Sequence, residues 1–265
     1  MRAEGLPGEL AAAMQKILNA LAWAAMALVI LLGFFYVGLV WLVTAPFDPA
    51  RYRAGRAFRH LAMASVKLNP FWHFETDGTP PADPRNPYVV VANHESYADI
   101  FLISHFPWEM KWLSKEEVFQ IPIMGWIMWM ANDIPIKRGK RESVISAMAG
   151  CRDRLKKRVS VMIFPEGTRA PSEDLLPFKD GAFRLAIENG VPILPIAVAG
   201  TRDCMAKGSF VFRPARAKGR VLAPVSTAGL TLNDVPELRN RVRDVIDLAR
   251  RELQRELAAE RTRSS

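Results

Sequence analysis

A long apolar stretch without a charged residue, Ile17 to Ala45, restricts the fold of the chain more than any other sequence feature. It runs for 29 residues and carries Trp23 and Trp41 near its ends. About 20 apolar residues suffice to cross a bilayer as an α-helix, and tryptophan favours the membrane interfaces. A cleavable signal peptide would be shorter and would end in a better cleavage site than Thr44-Ala45-Pro46. The stretch therefore predicts a membrane anchor, either crossing the bilayer or bent within one leaflet.

The segment from Pro49 to Leu68 separates apolar and basic residues at helical spacing. The apolar side consists of Ala54, Phe58, Leu61, Ala62, Ser65 and Val66, and the basic side of Arg53, Arg56, Arg59, His60 and Lys67. A basic amphipathic helix behind an anchor is expected to lie on the lipid surface, although an ordinary solvated helix gives the same pattern. The excess of Arg and Lys after the anchor predicts that the rest of the chain faces the cytoplasm.

The remaining residues alternate between strand-like and helical patterns, which is typical of an α/β layered fold with a largely parallel sheet. Strands are predicted over Tyr88–Ala92, Met110–Leu113, Ile134–Lys137, Val159–Phe164 and Ile193–Val198, with a pair around Phe210–Phe212 and Arg220–Pro224. Helices are predicted over Ala98–Phe106, Ile123–Met130, Glu142–Lys157, Asp180–Asn189 and Pro236–Ala259. The second of these helices is rich in Met and Trp, so it is expected either to pack in the core or to contact acyl chains or lipid.

Two polar motifs each follow an apolar strand. His94 and Asp99 follow the first strand, and Phe164 to Arg169 end the fourth. A histidine can act as a base near neutral pH when a carboxylate orients its ring, and Arg169 offers a bidentate fork for a phosphate. The sequence contains no GxSxG nucleophile elbow. A reaction in which His94 activates the attacking hydroxyl directly therefore fits better than one that passes through a covalent acyl-enzyme.

The charge, the cysteines and the histidines indicate which partners and metal sites to expect. The net charge of +9 indicates an anionic partner, for which lipid headgroups or a phosphorylated substrate serve as well as nucleic acid. Cys151 and Cys204 have neither zinc nor disulfide-framework spacing and are expected to be buried or half-buried thiols. No two of the four histidines are paired at i, i+4, so no metal site is expected.

Four motifs between Val89 and Val198 resemble, in order, those of the glycerolipid acyltransferase family, best known for 1-acylglycerol-3-phosphate (lysophosphatidic acid) acyltransferases. They are the HxxxxD pair His94 and Asp99, Ile134 to Arg138, the FPEGTR block Phe164 to Arg169, and Val191 to Ile196. Lys115 matches a lysine that the family places between the first two motifs, whereas Pro135 and Lys137 interrupt the usual hydrophobic run of the second.

The resemblance implies a membrane-bound O-acyltransferase without a cofactor. It transfers a fatty acyl chain from acyl-carrier protein or acyl-coenzyme A to the free hydroxyl of a lysophospholipid, 1-acylglycerol-3-phosphate, and gives phosphatidic acid. Membrane lipids are expected as further partners, and nucleic acid is not. His94 and Asp99 are then catalytic, and the substrate-binding residues are Lys115, Arg138, Glu166, Gly167, Thr168 and Arg169. Glu166 is expected to position the acceptor or to hold its own loop. The chain divides into an anchor and amphipathic helix (1–68), a linker (69–87) and a catalytic domain (88–265).

Other functions fit parts of this pattern. The acceptor can be another lyso-lipid, such as lyso-ornithine lipid. His94 can instead activate water, which would make the protein an ester or thioester hydrolase. A basic membrane protein that only holds anionic lipid is a third class, and the intact His94–Asp99 pair counts against it.

Overall fold

A computed structural model of the chain describes residues 8–205 and 209–264, with side chains described for 13–205 and 209–263. The first seven residues of the predicted 1–68 segment therefore lie outside the described residues. The helices are α1 (Gly8–Thr44), α2 (Tyr52–Leu68), α3 (Ala98–Ile103), α4 (Glu116–Phe119), α5 (Met124–Met130), α6 (Arg141–Lys156), α7 (Gly181–Asn189) and α8 (Val235–Ser264). The strands are β1 (Trp72–Gly78), β2 (Val89–Ala92), β3 (Met110–Lys115), β4 (Ile134–Ile136), β5 (Ser160–Ile163), β6 (Ile193–Ala199) and β7 (Ala215–Val221).

The seven strands form one sheet in the order β1-β7-β6-β2-β5-β3-β4. From β6 to β4 all neighbours are parallel, and β7 pairs antiparallel with β6 and parallel with β1. The prediction of an α/β fold with a largely parallel sheet is thus confirmed. Pro135 lies in the three-residue strand β4 at the edge, where a residue without an N–H is tolerated.

Successive residues of β2 alternate between two apolar layers, as the pleat of a strand requires. Val89 and Val91 belong to a core shared with α6, α7 and α8. Val90 and Ala92 face the opposite side, which α3 covers. All four residues of this strand are buried, so the sheet lies between two helical layers with its central strands at the core.

Two predictions along the sheet are wrong. The linker predicted over residues 69–87 contains β1, which pairs with β7 from Trp72 to Gly78. The strand pair predicted around Phe210–Phe212 and Arg220–Pro224 is instead one strand, Ala215–Val221. Phe212 is buried but lies outside the strands, and its ring stacks on Trp23 of α1 at 4.8 Å and meets Trp72 of β1 edge-on at 5.1 Å. The apolar residues Phe210–Phe212 thus predict a strand, but their apolar character serves packing against α1 and β1.

The two segments predicted as an anchor and an amphipathic helix both form helices, α1 and α2, which pack side by side. Helix α1 runs unbroken through Gly33, and this glycine allows close approach, since a Cβ there would lie 2.2 Å from Leu61 Cδ1 of α2. Val37 of α1 contacts a cluster containing Ala54, near the start of α2, whereas Ala22 shares a cluster with Val66 near its end. The two helices are therefore antiparallel. In the described part of the chain, one helix is long and apolar enough to cross a membrane.

Arg59 differs from its predicted place on the basic outer face of α2. Its side chain is buried, and Nη2 donates to both carboxylate oxygens of Asp133 at 2.7 Å. Its Nε lies 3.7 Å from Glu109, whose other oxygen accepts from the buried Lys111 Nζ at 3.0 Å. Lys111 also donates to the Ala131 carbonyl at 2.6 Å. We call Arg59, Glu109, Lys111 and Asp133 the ionic joint, because it ties α2 to the sheet.

Helix α5 packs in the core through one face of its Met- and Trp-rich sequence, as predicted, and exposes the other face. Ile127, Met128 and Met130 are buried, whereas more than half of each Trp126 and Trp129 side chain is exposed. The two tryptophan rings contact aromatic rings of α1, at 5.8 Å to Phe34 and 5.4 Å to Trp41. One face of α5 therefore packs in the core, and the other extends the exposed apolar surface of α1.

Candidate active site

The carboxyl ends of five parallel strands meet at one edge of the sheet. His94 follows β2, Glu166 and Arg169 follow β5, Lys115 ends β3, Arg138 follows β4, and Thr201 follows β6. This edge is where α/β sheets usually hold their functional groups. The prediction that Lys115, Arg138 and Arg169 leave strand ends at the same edge as His94 is confirmed.

His94 and Asp99 are in direct contact. His94 Nδ1 lies 2.7 Å from Asp99 Oδ2, and Asp99 is fully buried in the first turn of α3. A carboxylate facing Nδ1 favours the tautomer with its proton there, which leaves the Nε2 lone pair to accept a proton. The ring stacks on Phe164 with centroids 4.0 Å apart, so its plane is also held from one side. The arrangement is that of a general base with its orienting carboxylate.

Asp99 accepts three further hydrogen bonds. The backbone N–H groups of Glu95 and Ser96 donate to Oδ2 at 2.8 and 3.0 Å, and the Thr201 hydroxyl donates to Oδ1. These donors fill the acceptor positions of a carboxylate, the group that stabilises an imidazolium. The His94–Asp99 pair is therefore held by the loop after β2 and by Thr201 after β6.

Glu166 holds the loops around His94. Its Oε1 accepts from the His94 backbone N–H at 2.7 Å, and its Oε2 accepts from the Leu176 N–H at 2.9 Å. The His94 carbonyl in turn accepts from the Ala170 N–H at 2.9 Å. Burial raises the pKa of Glu166, although its two backbone hydrogen bonds oppose this effect. Of the two roles expected for Glu166, these contacts favour loop positioning.

Gly167, Thr168 and Arg169 form the turn after Glu166. Gly167 has φ of +73°, a backbone conformation that favours glycine. It also lies close to Lys179, since a Cβ at this position would be 2.7 Å from Lys179 Nζ. Thr168 is exposed, and the Arg169 guanidinium carbon lies 4.0 Å from the Tyr97 ring centroid. The turn thus presents a cation backed by an aromatic face.

Lys115 and Arg138 lie further along the same edge. Both side chains are exposed, and β4 is three strands away from β2, which corresponds to about 14 Å. Tyr97 and Glu117 are close enough to act electrostatically on Arg138. Tyr97 therefore lies between two of the predicted substrate-binding cations, with Lys115 on the strand next to that of Arg138.

Sequence reasoning missed Tyr97, Lys179 and Thr201. Tyr97 lies within the HxxxxD motif at an unassigned position, and Thr201 lies three residues after the end of the strand predicted over Ile193–Val198. The position of Thr201 at the end of a parallel strand beside β2 was the available signal, because such residues face the same edge. Lys179 reaches the site only because the loop after Arg169 folds back. Cys151 and Cys204 are buried free thiols, as predicted.

Comparisons with known proteins agree with this geometry. Residues 73–199 match the acyltransferase family model. The chain is 39% identical over 165 residues to a chloroplastic 1-acyl-sn-glycerol-3-phosphate acyltransferase of Brassica napus, covering 60% of this chain and 47% of that relative. It is 40% identical over 162 residues to 1-acyl-sn-glycerol-3-phosphate acyltransferase alpha of Homo sapiens, covering 60% and 57%. The chain thus spans about half the length of the curated relatives it matches.

A solved structure extends the likeness to the helical pair and the sheet. It is the crystal structure of the 1-acyl-sn-glycerophosphate (LPA) acyltransferase PlsC from Thermotoga maritima, with a TM-score of 0.73 and 29% identity. The alignment covers 91% of this chain and 98% of that one. The matched region of the family model includes His94, Asp99 and the Glu166–Arg169 turn. By its family match, its relatives and its fold, this chain belongs to the acyltransferase family.

Proposed function

We propose that this protein is a membrane-bound 1-acylglycerol-3-phosphate O-acyltransferase. It transfers a fatty acyl chain from an acyl thioester to the free hydroxyl of lysophosphatidic acid and forms phosphatidic acid for phospholipid biosynthesis. The observation that carries the proposal is the contact between His94 and Asp99. This pair follows β2, and Arg169 follows β5, the neighbouring strand. A base and a phosphate-binding cation at one sheet edge suit an acceptor that has both a hydroxyl and a phosphate. The names of the relatives support the same acceptor.

The chemistry follows from the orientation of His94. Its Nε2 takes the proton of the acceptor hydroxyl as the oxygen attacks the thioester carbonyl. Asp99 stabilises the imidazolium through Nδ1. When the tetrahedral intermediate collapses, the C–S bond breaks and the imidazolium returns its proton to the leaving thiolate. The proton balance closes on His94, with acyl-carrier protein or coenzyme A as the thiol product.

Arg169, Arg138 and Lys115 bind the acceptor phosphate in this proposal. We expect Arg169→Ala to raise the KM for lysophosphatidic acid by about 10- to 100-fold, because a charge-assisted hydrogen bond contributes about 1.5–3 kcal/mol. Tyr97→Ala should raise it about 2- to 5-fold through loss of the ring under Arg169, and Tyr97→Phe should not. Initial rates with lysophosphatidic acid and with monoacylglycerol test this. Equal losses on both acceptors in the Arg169 variant would contradict the phosphate assignment.

We also propose that residues 1–68 attach the enzyme to the cytoplasmic face of the membrane. The outward side of α1 exposes Leu28, Leu32, Phe35, Leu39 and Leu42 to between 54% and 66%. Exposed apolar area of this extent marks a lipid or protein contact. Helix α2 runs antiparallel along the same stretch of α1 and carries charged side chains, so it is a poor companion for a helix that crosses the bilayer. These features favour a helical pair lying in one leaflet.

The membrane proposal predicts retention in the membrane pellet after salt and alkaline washes, because hydrophobic insertion is insensitive to salt. Replacing Phe35 and Leu39 together by Ser should release a large fraction of the protein to the supernatant. A matched control replaces Val245 and Leu248, which are exposed on α8, and should leave the pellet fraction unchanged. Release of the unaltered protein by salt alone would contradict insertion of α1.

A further inference from the structure

Two buried side chains beside Asp99, those of Thr201 and Glu95, take no part in the acyl-transfer steps described above. Thr201 begins a short 3-10 helix directly after β6, and Glu95 follows His94. Thr201 is fully buried and Glu95 is 9% exposed. Neither residue is among those proposed to bind the acceptor, and β6, which leads to Thr201, lies on the opposite side of β2 from β5, which leads to Arg169.

Thr201 links the two carboxyl groups. Its hydroxyl donates to Asp99 Oδ1, and its Oγ1 also lies 3.4 Å from Glu95 Oε2. A hydroxyl has one proton to donate and can accept from another donor at the same time. When Glu95 is protonated, it can therefore donate to Thr201 while Thr201 donates to Asp99. When Glu95 is ionised, two carboxylates compete for one hydroxyl proton.

The surroundings of Glu95 decide which form is present. Burial and the charge of Asp99 raise the pKa of Glu95 to about 7, and Arg202 and Arg250 act in the opposite direction. Glu95 also lines a cavity with Glu173, Asp203 and Arg261, so solvent and mixed charges face it from the other side. Because the folded-state pKa is raised, Glu95 is neutral below about pH 7 and becomes charged as the pH rises through that value.

We propose that Thr201 is a positioning residue for the His94–Asp99 pair, and that Glu95, acting through Thr201, sets the upper pH limit of turnover. Thr201 completes the hydrogen bonds of Asp99 while Glu95 is neutral. Ionisation of Glu95 draws the hydroxyl proton away from Asp99 and places a second negative charge beside it. The effect on rate rests on the proposed function, whereas the coupling of Thr201 and Glu95 to the His94 ring does not.

Removal of the Thr201 hydroxyl is the first test. We expect Thr201→Val to lower kcat by about 10- to 100-fold, the loss typical of one hydrogen bond to a charged group, with the KM for lysophosphatidic acid within about twofold of wild type. Thr201→Ser keeps the hydroxyl and should restore most of the rate. The matched control is Thr227→Val, which removes another buried threonine hydroxyl that donates to a carbonyl, that of Val191, at 3.0 Å. Wild-type kcat in Thr201→Val, or an equal loss in Thr201→Ser, would overturn the proposal.

The pH profile tests Glu95. In wild type, kcat should fall as the pH rises through about 7, and Glu95→Gln should keep its rate to higher pH because the amide cannot ionise. Ionisation of the acceptor phosphate affects both proteins equally and cancels in the comparison. An alkaline limb of the same midpoint and depth in both proteins would overturn the role of Glu95.

A measurement without substrate separates this inference from the proposed function. The ring nitrogens of His94 can be followed by NMR on uniformly ¹⁵N-histidine-labelled full-length protein, with His94→Ala assigning its signals among the four histidines. We expect Thr201→Val and Glu95→Gln to shift the His94 signals, and Thr227→Val to leave them unchanged. If wild type fails to acylate lysophosphatidic acid but these shifts occur, the proposed function fails and the coupling stands. Unshifted His94 signals in both variants would overturn the coupling itself.

Discussion

His94→Ala is expected to lower the rate of acyl transfer by about 10²- to 10⁴-fold, the range typical for loss of a general base. The acceptor hydroxyl then has no group to take its proton, while the phosphate-binding residues remain. The KM for lysophosphatidic acid should therefore change little. Initial rates over a range of acceptor concentrations, on purified full-length protein in detergent, measure both quantities.

Asp99→Asn should give a loss of the same kind. The amide keeps the size of the side chain but presents an N–H₂ group where the carboxylate accepts four donors. His94 then loses its orientation and the charge that stabilises its imidazolium. Circular dichroism and thermal unfolding serve as the control for folding in both variants. A folded His94→Ala protein with the wild-type rate would eliminate the base mechanism.

The second large effect concerns stability and comes from the ionic joint. Arg59→Ala should lower the free energy of unfolding by about 3–5 kcal/mol, because removal of one partner leaves the buried carboxylate of Asp133 without its opposite charge. Asp133→Ala should produce a loss of similar size by stranding Arg59. Denaturant unfolding in detergent, followed by tryptophan fluorescence, measures the change.

A matched control lies on the same helix. Arg53 is exposed and contacts the Phe47 ring at 5.1 Å, so Arg53→Ala should change the unfolding free energy by no more than about 1 kcal/mol. The Arg59–Asp133 double variant should lose less than the sum of the two single variants, because neither charge is then left alone. Equal, small losses for Arg53→Ala and Arg59→Ala would mean that the joint does not hold α2 to the sheet.

The ionic joint also limits how the membrane segment can be studied. Removal of residues 1–68 would take Arg59 away from Asp133 and Glu109 and would uncover the cores that α1 and α2 share with α5. A truncated protein would therefore lose stability together with membrane contact. Point substitutions on the exposed side of α1 separate the two effects.

Much of the site was predictable from local sequence patterns. His94 and Asp99 are five residues apart, so a strand end followed by one helical turn is enough to bring them together. Arg169 follows a neighbouring parallel strand, and parallel strands end at one edge. The α/β fold follows from the same alternation of apolar strands and helices.

The parts that were missed depend on contacts distant in sequence. Arg59 has the spacing of an outward basic residue, and only the approach of Asp133, 74 residues away, makes it a buried partner. Thr201 contacts Asp99 across 102 residues. The apolar residues around Phe212 predict a strand because strands and loops that pack on helices share apolar aromatic residues, whereas the Phe212 ring contacts Trp23 of α1 and Trp72 of β1. The spacing of apolar and polar residues within one helix or strand does not predict contacts between residues this far apart in the sequence.

The mass of the product is the most direct test of acyl transfer from a thioester to lysophosphatidic acid. Purified protein is incubated with a labelled acyl thioester, with and without lysophosphatidic acid, and the lipids are analysed by mass spectrometry. We expect phosphatidic acid that carries the labelled chain, formed only when the acceptor is present and absent when the protein is His94→Ala. Release of labelled free fatty acid at the same rate with and without acceptor would contradict this expectation and would identify a hydrolase.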